Sequence, residues 1–148
     1  MSQVVRILSL EELSNVFWVS VDSDFNCNIL KPDGTLFLQE TFSYVSDFDE
    51  GICVVRKLDG KGYFLKEDGT FISDVEYYNV SPFVSGKATI RNENLHWNWI
   101  LPNGELFFKK WVKKEIPDIL TPRLHVIFKD DTTATYDERD NSVEYHNE

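Results

Sequence analysis

Apolar positions fall in short runs rich in Val, Ile, Phe, Tyr and Trp, and polar turn residues separate them. Turn signals return about every eight to twelve residues, which is the pattern of an all-β protein. The runs predict first strands at 16–21, 51–57, 86–92 and 123–128, and second strands at 25–30, 61–65, 96–101 and 132–137. Third strands are predicted after the next turn, at 35–38, 70–73, 105–109 and 142–145. Loops this short force neighbouring strands antiparallel. Ser9 with Glu12 three residues later forms a capping-box pattern, which predicts a short helix over residues 10–15.

The runs repeat. Lys31-Pro32-Asp33-Gly34, Lys66-Glu67-Asp68-Gly69 and Leu101-Pro102-Asn103-Gly104 end on glycines 35 residues apart. Asp or Asn tolerates the turn, and Gly supplies its positive-φ position. Phe48-Asp49-Glu50-Gly51 and Phe83-Val84-Ser85-Gly86 keep the same step, as do Val45 and Val80. Laid without a gap over 60–94, residues 25–59 give ten identities, where average residue usage gives about two.

One unit cannot bury its apolar face alone, whereas stacked units can. The expected architecture is all-β: about four three-stranded antiparallel meander repeats of 35 residues in an open twisted array, with a propeller-like form as the alternative. The chain reads as a single β-repeat domain over 1–148, with units at about 13–38, 48–73, 83–109 and 123–145. The connectors 39–50, 74–85 and 110–122 carry aromatic residues able to cover the seams between units. The last one departs most. Pro117 and Pro122 interrupt it and no Gly matches Gly51 and Gly86, so a different loop is expected there.

The unit Gly51-Ile52-Cys53-Val54-Val55, Lys61-Gly62-Tyr63-Phe64-Leu65, Asp68-Gly69-Thr70-Phe71-Ile72, Tyr77-Tyr78-Asn79-Val80, then Phe83 and Gly86, resembles the WG-repeat family of bacterial and phage proteins. Of the dipeptide that names that family, Lys61-Gly62 keeps the Gly and His96-Trp97-Asn98 keeps the Trp. The resemblance implies a β-repeat scaffold that mediates interactions, with no family-wide catalytic residues to carry over.

Charge narrows the partners. Fifteen Lys and Arg against 25 Asp and Glu give a net charge of −10, a field that repels nucleic acid and anionic membrane. Residues 109–123 alone are positive, at +3. No apolar run approaches the roughly 18 residues of a membrane span. Cys27 and Cys53 lie in apolar runs and read as buried thiols rather than a disulfide framework. The first ten residues lack the pattern of a secretory signal, so the expected location is cytoplasmic.

Candidate chemistry is sparse. Lys109, Lys110, Trp111, Lys113 and Lys114 form a basic island that could contact an acidic surface, or be a solvated connector with Trp111 turned inward. Trp97 and Trp99 share one strand face, either as seam packing or as an exposed aromatic pair for a partner. Asp22-Ser23-Asp24-Phe25-Asn26 mimics a calcium loop, but Cys27 stands where that loop needs Gly, so a turn leading into a strand is expected. His96, His125 and His146 have no metal-ligand spacing, and no nucleophile or phosphate-loop motif occurs. The expectation is a non-catalytic protein-protein interaction module without metal or cofactor, binding neither nucleic acid nor membrane. The alternative is a small acidic inhibitor, possibly phage-encoded, of a basic nucleic-acid-binding enzyme. Hydrolysis by paired carboxylates is a third reading.

Overall fold

The computed structural model describes residues 7–12 and 18–147. Among them there are thirteen strands and no helix, and all strand pairing is antiparallel between chain neighbours. Strands β1 (Ile7–Glu12), β2 (Trp18–Asp22), β3 (Cys27–Leu30), β4 (Phe42–Val45), β5 (Ile52–Lys57) and β6 (Gly62–Lys66) form one sheet. The second runs through β7 (Asn79–Val80), β8 (Ala88–Arg91), β9 (Trp97–Ile100), β10 (Val112–Pro117), β11 (Arg123–Phe128), β12 (Thr133–Asp137) and β13 (Ser142–His146). The array is open: β1 and β13 are edges, and no pairing joins them.

The joints between units repeat the 35-residue step. Cys27 pairs with Phe42, Gly62 with Tyr77 and Trp97 with Val112, each as a single residue pair. A joint one pair wide lets the meander fold over on itself, so neighbouring hairpins meet face to face. Three apolar seams result. The first gathers Val19 and Ile29 against Cys53, Val55 and Leu65. The second sets Ile52, Val54 and Phe64 against Ala88, Ile90 and Ile100. The third joins Trp97 and Phe108 to Val126, Phe128, Ala134 and Tyr136. Strand β5 is therefore buried on both faces from Ile52 to Val55. At the far end the outer face of β11–β13 is polar. There the Thr135 hydroxyl lies 3.1 Å from His125 Nδ1 and 3.0 Å from His146 Nε2. A polar terminal face ends such a stack.

The turns are equivalent in detail. Gly34, Gly69 and Gly104 have φ of 86°, 90° and 88°. Their amides donate to Lys31, Lys66 and Leu101 carbonyls at 2.9, 3.0 and 2.8 Å. Asp33 and Asp68 each accept from the amide and hydroxyl of the Thr two residues on, and Asn103 accepts from the Glu105 amide. These turns rest on the preceding unit. A Cβ at Gly69 would lie 3.3 Å from Phe37, and one at Gly104 would lie 2.5 Å from the Ile72 carbonyl oxygen, 35 residues beyond Phe37. The tips Glu50-Gly51 and Ser85-Gly86 are two-residue loops with positive φ at both positions, the type I′ geometry that matches strand twist.

Three expectations need correction. The predicted third strands at 35–38, 70–73 and 105–109 make only single bridges, Leu30 to Leu36, Leu65 to Phe71 and Ile100 to Leu106. Beyond each bridge the chain turns inward, so that Phe37, Ile72 and Phe108 fill seams instead of pleating. The strand next to the second one comes instead from inside the connector: β4 beside β3 and β10 beside β9, with only the Tyr77 bridge to Gly62 beside β6. The predicted helix over 10–15 is replaced where it is described: Leu10–Glu12 belong to β1, pairing with Ser20, Val19 and Trp18, and residues 13–15 lie outside the described residues. The open edge of β2 outweighs a local capping pattern. Finally, the last unit slips by one residue. The left-handed turn position runs Phe25, Gly60, Leu95 and then Asp131, a step of 36 at the end. Lacking the Gly of the earlier tips, the β10–β11 hairpin uses a longer loop over 118–122.

Two outcomes follow. Gly34→Ala and Gly104→Ala both force alanine into left-handed backbone, costing about 1–2 kcal/mol. Only Gly104→Ala also strikes the Ile72 carbonyl oxygen, so urea unfolding should show it losing on the order of 3 kcal/mol or more. Equal losses would mean that the turns do not stack. Cys27 and Cys53 are buried in the first seam, and burial pushes the Cys53 thiol up to about 12. At about pH 8, a chromogenic disulfide reagent should label neither thiol in the folded protein and both in denaturant.

Candidate functional site

The third seam differs from the second at the equivalent positions of its first unit: Lys87, Thr89 and Trp99 stand 35 residues beyond Ile52, Val54 and Phe64. Ile52, buried in the second seam, corresponds to Lys87, each closing a two-residue tip through Asp49–Ile52 and Val84–Lys87 pairing. A lysine cannot be buried as isoleucine is without hydrogen-bond partners for its ammonium. Lys87 Nζ donates to Asn141 Oδ1 at 2.7 Å and to Tyr136 Oη at 3.1 Å. It also lies 5.1, 5.4 and 5.2 Å from the ring centroids of Trp99, Phe107 and Tyr136. Tyr136 Oη donates to Asn141 in turn, at 2.9 Å. The seam stays open around this polar group as a groove of about 850 Å³, lined among others by Val84, Lys87, Trp99, Arg123 and Leu124.

The loop 118–122 forms the opposite wall and rises above it. Asp118 holds the loop: its carboxylate accepts the Leu120 amide at 2.9 Å and the Thr121 hydroxyl at 2.8 Å, and its own amide donates to the Arg123 carbonyl at 3.0 Å. These bonds, the Leu120 amide foremost, keep the Asp118 carboxyl below the usual carboxylate range. Pro117 and Pro122 flank the loop and limit its backbone freedom. At the tip of the loop Ile119 and Leu120 are 95% and 88% exposed, and across the groove Val84 is 70% exposed. Single exposed apolar residues are ordinary, but an apolar pair on a pinned tip beside a groove is not.

Of the residues predicted from sequence, only Trp99 reaches this groove. Trp97 is 6% exposed, packs 5.3 Å from Trp99, and donates through Nε1 to Glu115 at 2.8 Å. The tryptophans are thus seam packing with one member on the groove floor. The basic island is dispersed. Lys110 Nζ bonds Asp130 at 2.7 Å and Thr132 at 3.1 Å, and Lys113 pairs with Asp131. Lys110 holds the Asp130 carboxyl well below the usual range. Lys109 Nζ lies 4.5 Å from the Tyr145 ring, Lys114 is exposed, and half-buried Trp111 packs toward the second seam, 6.4 Å from Tyr77. The calcium-loop mimic is a turn: Asp22 accepts the amides of Asp24 and Asn26 at 2.8 and 3.0 Å, and Cys27 opens β3. No group of three or more His, Cys, Asp or Glu side chains suited to a metal ion occurs among the described residues. No helix among them is long and apolar enough to cross a membrane.

Sequence reasoning missed Val84, Lys87, Ile119 and Leu120 as a group. The available signal was the break in the repeat: Lys at the place of Ile52, and a connector without its Gly.

No family model matches the chain, and it matches no curated protein. Among solved structures it is similar to BamB from Moraxella catarrhalis, with 11% identity, a TM-score of 0.43, and coverage of 94% of this chain and 47% of that one. It is also similar to the N-terminal domain of Nup159, with 12% identity, a TM-score of 0.44 and coverage of 95% and 43%. A third is the WD40 β-propeller domain of Doa1, with 10% identity, a TM-score of 0.39 and coverage of 97% and 54%. The chain spans about half the length of these structures. Likeness at this level carries nothing about binding or activity.

Proposed function

We propose that this chain is a non-catalytic protein-binding module built on WG-type β repeats, with the third-seam groove and its apolar tip as the docking surface. The pinned, almost fully exposed pair Ile119–Leu120 carries the reading. Inside the array such residues fill seams; here they face water, with no described residue covering them. Fixing the tip before contact lowers the ordering cost of binding. The polar groups of the groove are engaged within the chain, Lys87 by Tyr136 and Asn141 and Asp118 by the Leu120 amide and Thr121 hydroxyl of its own loop, which supports a binding role. The acidic-inhibitor reading draws less support. Many carboxylates already work inside turns, Asp22, Asp33, Asp59, Asp68, Asp118 and Asp130 among them, and they are spread over the array instead of forming one face.

The test is affinity capture from the native host with the wild-type chain and with Ile119→Asp/Leu120→Asp as baits. Both side chains are in solvent, so the double variant should keep its unfolding free energy to within about 0.5 kcal/mol. It should lose the proteins the wild type retains. Those contacts should survive a rise from about 50 to about 500 mM salt, because apolar burial is not screened. Equal capture by both baits would remove the reading, and capture that collapses with salt would favour the acidic inhibitor.

A further inference from the structure

The docking surface carries both halves of a self-complementary contact. Its projecting half is Ile119–Leu120. Its receiving half is the groove directly beside it, where Val84 and Leu124 offer apolar wall and Trp99 lies on the floor. A two-fold dimer requires such a pairing of knob and hole within one patch, because each surface must meet its own copy.

Charge points the same way. The chain carries −10 overall, so two copies repel over most of their surfaces. The groove is an exception. Lys87 and Arg123 line it together with Asp118 and Glu138, two groups of each sign. A strongly basic or strongly acidic partner gains little at a patch balanced in this way. A second copy brings the same balanced set, two groups of each sign, so the two patches meet without the net repulsion of the −10 chains.

We infer that the chain pairs with a second copy of itself about a two-fold axis, the Ile119–Leu120 tip of each copy seated in the third-seam groove of the other. The inference rests on the docking reading above and names its partner. The protein is then a dimer in which the most exposed apolar tip of each subunit is covered, and every groove is filled without any further protein.

The experiment is sedimentation velocity on the full chain between about 1 and about 100 µM, at about 50 and about 500 mM salt. The wild type should rise from 17.3 kDa toward twice that mass with concentration. The midpoint should fall at high salt, since screening removes repulsion between two charges of −10. Ile119→Asp/Leu120→Asp, which lacks the knob, and Val84→Asp, which spoils the hole, should each remain at 17.3 kDa. Mixed, they should recover association, because the knobless subunit still offers a hole to the intact tip of the other. Circular dichroism confirms folding, and Leu120→Asp alone replaces the double variant if that fails to fold. A wild type that stays at 17.3 kDa throughout, association that Val84→Asp leaves unchanged, or a mixture that does not associate would each overturn the inference. If the wild type is monomeric while the tip variant still loses a captured protein, self-pairing falls and the docking reading stands. If capture is also unaffected by the tip variant, both fall.

Discussion

The structure depends on burial across seams. A hairpin such as β5–β6 is apolar on both faces, with Cys53, Val55 and Leu65 on one side and Ile52, Val54 and Phe64 on the other. Exposed to water, such a hairpin is marginal, since isolated two-stranded ribbons are rarely stable. Covered on both sides, each large aliphatic side chain contributes about 1.5–3 kcal/mol of transfer free energy. The energy of the fold thus belongs to pairs of units, not to units, and the chain must bring equivalent faces into register to gain it.

Turns and joints achieve that register. The single pairs Cys27–Phe42, Gly62–Tyr77 and Trp97–Val112 let the sheet bend while keeping each unit in step with the last. Side chains bridge units as well: the Glu50 carboxylate accepts the Gly86 amide at 3.1 and 3.2 Å, linking one tip to the next. Asn98, buried at the third seam, bonds the Phe108 amide and carbonyl, the Lys110 carbonyl and the Trp99 amide, all between 2.8 and 3.3 Å. Asn28 reaches the Glu40 carbonyl from the equivalent position two units earlier. Polar groups thus tie down the inward bends that follow the Asp-Gly turns.

Much of this was legible in the sequence because a left-handed turn constrains its residue sharply. Gly34, Gly69 and Gly104 advertised the step, and that step located the first and second strands of each unit to within a few residues. The third strands were not legible. Phe37, Ile72 and Phe108 have the composition of a strand, yet they turn into a seam, a tertiary effect no local pattern shows. The basic island misled for a related reason: its counter-charges Asp130 and Asp131 arrive from a hairpin tip some twenty residues on. The groove left only a faint trace, visible once Lys87 is set beside Ile52 and the last connector beside its predecessors. The proposed docking surface lies where the repeat fails, which is where a scaffold is free to depart from its own packing rules.

Duplicating one unit tests the interchangeable-seam account most directly. Inserting a second copy of residues 52–86 after Gly86 places Ile52, Val54 and Phe64 against Cys53, Val55 and Leu65 of the copy, at positions that Ala88, Ile90 and Ile100 now fill. Every other seam stays as it is. Urea unfolding of this longer chain should show a larger m-value, roughly in proportion to the added buried surface, and a midpoint at or above that of the parent. A chain that aggregates, or that unfolds with the parent's m-value and a disordered insert, would contradict the account.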